Sequence, residues 1–301
     1  MSSSSYWSAR NKLMKQLEKS EKQLYKQIQQ YYKNEAKALQ QLINDYYTTY
    51  GVNNVIEYRQ LLQSLSTEQV NLLIRDIDSF VAEYPQYAHL APVRTSIYKL
   101  DRLEGLQTSV KLESLRVGAY EQSSINDHLS SYAVKFANAT AEAMGFGSNF
   151  YTENVSVIKA MLSSDWANGS NFSERIWNNI EKLTETLNNE IATGFARGTN
   201  YRELSRILSK KMDSSAKQAF RLIYTEGSRV MNEAVAIANN DDEGRYYIST
   251  VGDGKVCDYC ADMMAQSHKQ EWLFKNREAG VNYPPFHTSC RCTIDFADVW
   301  E

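Results

Sequence analysis

Proline is almost missing from this 301-residue chain, which has four in all: Pro85, Pro92, Pro284 and Pro285. A proline inside a helix removes a backbone donor and clashes with the preceding turn. Long stretches without one therefore leave helices free to run, and only thirteen glycines compete with them. The first reach shows the consequence. Leu13, Leu17, Leu24, Ile28, Tyr31, Leu39, Leu42 and Tyr46 recur with the spacing of a helix. They predict one long helix, or two in line, from residue 6 to about 50, with Gly51 as the stop.

The pattern continues. "STEQVNLLIRDIDSFVAEY" opens with Ser66 and Gln69 as a capping box, in which hydroxyl and amide satisfy helix-end donors reciprocally. Helical spacing resumes from about Thr95 to Met144, and "GFGSNFY" at 145–151 then marks a boundary with two glycines. Beyond it, Ile176, Ile180, Leu183, Leu187, Ile191 and Phe195 line one helix face, which Gly198 ends. "TNYRELSRILSKKM" and "SSAKQAFRLIYTEGSRVMNEAVAIAN" read as two further helices, and "RYYIST" as the first convincing strand. The fold class expected is mainly α, with long N-terminal helices and a small β-rich end.

Charge gives little global direction, since the formal net value is −3. Locally, Arg10 to Lys37 holds eight Lys/Arg against three Glu. A basic helix bearing Tyr31 and Tyr32 could touch phosphates and stack bases, which makes nucleic acid a candidate partner. The interleaved Glu18, Glu21 and Glu35 favour a solvated helix or a protein-packing arm instead. "MSSSSYWSARNKLMKQ" lacks the apolar core of a secretory signal, and no run approaches a membrane span. The expected compartment is a reducing cytoplasm, where clustered cysteines bind metal or do redox chemistry.

All four cysteines do cluster. Cys257 and Cys260 form a C-x-x-C pair after the strand and a turn; His287 and Cys290 form H-x-x-C, and Cys292 follows. Two such pairs of soft and imidazole donors suit tetrahedral zinc, whose binding would become folding energy for a tail with little core. Five donors compete for four places: Cys257, Cys260, His287 and Cys290 come first, with Cys292 as the alternative. A thioredoxin-like pair should open a helix in an α/β fold, and no βαβ pattern is present. A zinc deaminase would need H-x-E before P-C-x-x-C, and this chain has neither. A surplus of protein ligands points to a closed, structural site, with no catalytic residue assigned. The competing reading is a metal-dependent hydrolase or nuclease acting on DNA, with Asp253, Asp258, Asp262 or Glu271 as bases. His89 and His128 stand without ligand-like company.

The order of "WNNIEKLTETLNNEIATGFARGTNYRELSRIL", "RLIYTEGSRVMNEA", "GDGKVCDYC" and "PPFHTSCRC" resembles the minor head proteins of tailed bacteriophages, the head morphogenesis proteins related to protein F of phage Mu. The resemblance runs from about Met161 to Phe296. It implies a helical region over 1–144 and a head-morphogenesis-like domain over 145–301, whose residues 245–301 form the metal-binding β subdomain. It supports Cys290 over Cys292 as ligand. It implies a virion component, made in the host cytoplasm and placed inside the capsid near the portal. Portal, capsid or scaffolding proteins would be its partners, and phage DNA a further one through the N-terminal helix. The family's Arg-Thr-Glu falls on Tyr224, Thr225 and Glu226 here, with Arg221 one turn earlier as a substitute. Thr225, Glu226, Arg229 and Asn232 read as a structural hydrogen-bond network.

Overall fold

The computed structural model describes residues 3–166, 169–239, 241–250, 256–270 and 272–296. It is mainly α, with two small antiparallel sheets among the described residues. Four long helices dominate: α1 (Ser3–Tyr50), α5 (Arg102–Ala143), α8 (Phe172–Ala196) and α9 (Tyr201–Asn239), with α3 (Thr67–Glu83) next in length. Short helices α2 (Tyr58–Leu61), α4 (Arg94–Ile97), α6 (Phe150–Glu153) and α7 (Val155–Ser163) fill the connections. The C-terminal part adds strand β3 (Arg245–Ser249), helix α10 (Asp258–Ser267), and strands β4 (Trp272–Leu273) and β5 (Thr293–Phe296).

α1 is a single helix, and its buried face differs in part from the one the sequence spacing suggested. Leu17, Leu24, Ile28 and Leu39 are buried, but the others are Tyr32, Ile43 and Tyr47 rather than Tyr31, Leu42 and Tyr46. Two rows at eleven-residue steps explain the shift: Tyr6, Leu17, Ile28, Leu39 and Arg10, Glu21, Tyr32, Ile43. Eleven residues make three turns of roughly 3.67 residues, closer to a straight helix than a heptad count. The second row also carries an arginine and a glutamate into the interior.

Gly51 does end α1, but through a feature not foreseen. Strands β1 (Gly51–Val52) and β2 (Val55–Ile56) form a two-residue hairpin, with Asn53 and Asn54 at φ 55° and 61°. Asparagine tolerates that left-handed region, which the favoured hairpin turns require. The capping box at Ser66 is present, with Gln69 N–H donating to Ser66 Oγ and Ser66 N–H to Gln69 Oε1. The two helices expected between 199 and 239 are one, α9. Its central serines do not break it, because Ser214 Oγ donates back to the Lys210 carbonyl and buried Ser215 meets the Tyr32 hydroxyl.

The chain divides into two compact units. One comprises residues 26–123 and 176–219, the other residues 1–25, 124–175 and 220–301. The core of the first gathers Val70, Leu73, Ile77 and Phe80 of α3 with Ile97 of α4 and Leu112 and Leu115 of α5. Trp177 of α8 lies so close to Gly118 that a Cβ there would stand 2.7 Å from its ring. In the second unit β3 is the central strand, paired antiparallel with β4 and β5 in register Ile248↔Ile294. The Ile248 amide also donates to Ser267 Oγ of α10, which ties the helix to the strand.

Candidate metal centre

The site begins at the N-terminus of α10. Cys257 is the N-cap residue and Cys260 lies in the first turn, so the C-x-x-C pair opens a helix. The sequence places the pair after a strand and a turn and does not reveal the helix it opens. What excludes the thioredoxin arrangement is the surrounding sheet, which is antiparallel throughout. A helix N-terminus favours thiolate through its unpaired amides and its dipole. Cys257, which is exposed, is accordingly lowered from the ordinary thiol value, first by the Cys260 backbone amide and further by His287.

The second pair arrives on a turn that other residues hold. His287 O accepts from Cys290 N, and Ser289 between them takes φ 61°, a conformation that costs a non-glycine residue energy. Thr225 of α9 compensates, since its hydroxyl accepts from Ser289 N at 2.9 Å and donates to the Arg221 carbonyl. The His287 ring is oriented by its own neighbour: Nδ1 lies 2.9 Å from the Thr288 carbonyl. Nε2 is left facing Cys257 Sγ at 3.3 Å and Cys260 Sγ at 3.1 Å. Such an orienting carbonyl is the usual support of a metal-binding imidazole. Burial pulls the His287 pKa down, but the Thr288 carbonyl and the nearby thiols outweigh it, and the net direction is up.

Cys260 links the halves, with its sulfur 3.9 Å from Cys290 Sγ. All five predicted donors thus come together, in two overlapping groups: Cys257, Cys260 and His287, and Cys260, Cys290 and Cys292. Around a tetrahedral zinc, with Zn–S and Zn–N lengths of about 2.3 and 2.0 Å, donor separations come to roughly 3.5–3.8 Å. The observed spacings lie close to that, so the donor chemistry and the geometry both fit the ion.

Cys290 and Cys292 are chemically unequal. The Cys292 thiol hydrogen-bonds to Cys290 and holds it down to about 5, while the same bond and burial push Cys292 far up. Cys260 is pushed up to about 12, chiefly by burial and then by Cys290.

The scaffold beneath comes mostly from α9, whose polar residues are engaged in hydrogen bonds. Asn232 Nδ2 donates to the Cys292 carbonyl at 2.9 Å, and Asn232 Oδ1 accepts from Ile294 N at 3.1 Å. Ser228 Oγ donates to the same Cys292 carbonyl. One amide side chain thus does for the start of β5 what a neighbouring strand would do. Behind it Glu226, fully buried, accepts from Arg229 Nε at 2.8 Å, Arg175 Nη1 at 3.2 Å and Trp166 Nε1 at 3.0 Å. The arginines that meet Glu226 are therefore Arg175 and Arg229, whereas the Arg221 side chain is exposed. Trp166, Arg175 and the Arg10–Asp295 ion pair at 3.2 Å were not foreseen. Their only sequence signal was that a buried glutamate or arginine needs an opposite partner.

Of the acidic residues offered as bases, Asp258 and Asp262 are exposed on α10 and belong to neither donor group. Asp253 and Glu271 lie outside the described residues. His89 is exposed, and His128 is half-buried, with Nδ1 beside Ser20 Oγ.

Fold and site together define a helical protein with a thiol–imidazole clasp between the start of α10 and the turn before β5, braced on a long helix. Residues 185–295 match the family described as phage Mu protein F like protein. The matched segment lies inside the stretch on which the resemblance was read and includes all five donors. The chain is also 23% identical, over 156 residues, to the NAD(+)–arginine ADP-ribosyltransferase EFV of Enterococcus faecalis. That alignment covers 46% of this chain and 32% of the relative, so the chain spans about a third of the relative's length. No solved structure matches. Among the described residues, no helix is long and apolar enough to cross a membrane.

Proposed function

We propose that this protein is a minor head protein of a tailed phage, acting in head assembly near the portal, with a structural zinc ion at its C-terminal clasp. The observation that carries the reading is the match over 185–295, which encloses Cys257, Cys260, His287, Cys290 and Cys292. Cys257, Cys260, His287 and Cys290 would hold the ion, with Cys292 as the alternative ligand. Bound there, zinc would join α10 directly to the turn before β5, which side-chain hydrogen bonds from α9 hold on its other side. Portal and capsid or scaffolding proteins are the partners this reading implies, with packaged DNA as a further contact and the capsid interior as the location.

Two measurements test it separately. Purified virions and portal-bearing assembly intermediates should both contain the protein, and absence from both overturns the head assignment. The protein prepared without chelator should carry one zinc per chain. After exchange with cobalt, its visible spectrum should show tetrahedral thiolate bands that ignore added azide. A spectrum that shifts with azide would mean an open coordination position, and a hydrolase reading would replace the structural one.

A further inference from the structure

Seven lysines of α1 form one row. Lys12, Lys15, Lys19, Lys22, Lys26, Lys33 and Lys37 follow one another at steps of three, four or seven residues, and all are exposed. At 3.6 residues per turn they fall within an arc of about 80°, over an axial length of about 38 Å. α1 is uninterrupted, so the row is a property of this helix alone.

The three glutamates that interleave with them in sequence do not interleave in space. Glu21 is buried and Glu35 is half-buried, turned away from the row. Glu18 stands at the row's edge, paired with Lys22 at 2.8 Å and 3.9 Å from Arg291. For the other six lysines no ion pair is found among the described residues. Arg10, the remaining cation of this stretch, is 2% exposed and held by Asp295, so it belongs to the interior. A row of one sign, with Glu21 and Glu35 turned away from it and Glu18 at its edge, is complementary to a polyanion.

The same helix lacks a means of reading bases. Tyr31 is stacked on Tyr120 at 4.1 Å, and Tyr32 is buried with its hydroxyl on Glu121 and Ser215. Neither ring is free to stack a base, contrary to the suggestion of the sequence. The row also holds no arginine, the side chain that recognises guanine or phosphate as a two-pronged fork. Lysines act as hydrated point charges, suited to following phosphates without regard to sequence.

We infer that the exposed lysine row of α1 binds the sugar–phosphate backbone of double-stranded DNA, without base contacts. It deepens the DNA contact named under the head-protein reading, although the charge geometry stands without that reading. The row is slightly longer than one helical turn of duplex, about 34 Å.

Fluorescence anisotropy with the full-length protein and a labelled 30-base-pair duplex of arbitrary sequence tests the inference. With six unpaired lysines engaged, affinity should fall about a thousand-fold between 50 and 200 mM salt. Each single Lys→Ala change in the row should reduce the salt slope by about one. K12E/K15E/K19E/K26E should lose binding at 50 mM salt, while K159E/K182E/K269E, also exposed lysines, should bind as the parent does. All are surface changes, and an unchanged far-ultraviolet spectrum and melting temperature would confirm folding. No binding at 50 mM salt, or equal loss in both sets, overturns the inference. Equal or tighter binding to a single strand of the same length overturns its duplex form. A protein present in virions that fails these tests loses the row and keeps its head assignment. One that passes them but is absent from virions and intermediates does the opposite.

Discussion

The two halves of α9 solve the burial problem differently. From Leu204 to Ala219 the helix is amphipathic: Leu204, Leu208, Met212, Ala216 and Ala219 are buried and charged residues lie between them. From Leu222 to Asn232 every residue is buried, and these include Thr225, Glu226, Ser228, Arg229 and Asn232. A helix buried all round normally carries apolar residues on every face. Most of these polar groups have a partner in the turn before Cys290, at the start of β5, or in the Arg175–Trp166 pair, while Arg229 Nη2 is buried with no hydrogen-bond partner among the described residues. The first half is held by hydrophobic burial, which tolerates adjustment. The second is held by directional bonds, which are costly when half-broken.

The contrast makes ordered predictions. Glu226→Ala should have the largest effect, about 3–5 kcal/mol, because it leaves the Arg229 and Arg175 guanidinium groups without their shared carboxylate. Urea denaturation gives the number, and a cost below that of Leu208→Ala would erase the distinction between the halves. Leu208→Ala should come second, at about 3 kcal/mol from lost burial and a cavity, with zinc content unchanged. Asn232→Ala should cost about 2 kcal/mol by leaving the Ile294 amide and the Cys292 carbonyl short of partners. Unlike Leu208→Ala, it should also weaken retention of zinc against a chelator, and equal retention in both variants would separate the brace from the clasp.

A further prediction concerns pH. Burial, then Glu18, push the Glu21 carboxyl up to about 9, with Arg291 and Lys22 acting in the opposite direction. The folded chain therefore holds a proton that the unfolded chain releases near pH 4.5. Stability should fall as pH rises from about 4.5 towards 9, and the Glu21→Gln variant should show a flatter melting-temperature profile over that window. Parallel profiles for variant and parent would mean that Glu21 ionises freely in the folded state.

Much of this was legible beforehand, where the cause is local. The Ser66 cap and the stop at Gly51 depend on neighbours a few residues away. The stripe from Ile176 to Phe195 needs only a regular period and an apolar side to face inward. The approach of the five donors followed from short spacings that suit one ion. Misreadings arose where a residue's role depends on something distant. The serines near 214 looked like a break, and only Tyr32, 183 residues from Ser215, shows why the helix tolerates one there. Cys257 and Cys260 gave a spacing but not the helix they open.

Sequence by itself determined the helical class, helix boundaries set by local signals such as the Ser66 cap and the Gly51 stop, and the donor set of the clasp. Those depend on backbone sterics, on periodicity and on the chemistry of sulfur and imidazole. Tertiary structure alone decided which charges face inward. Arg10 and Lys12 are indistinguishable as letters, yet one is locked to Asp295 and the other stands in an exposed basic row. The physical reason is that burial of a charge is set by its partner, and here the partner lies 285 residues away in the chain.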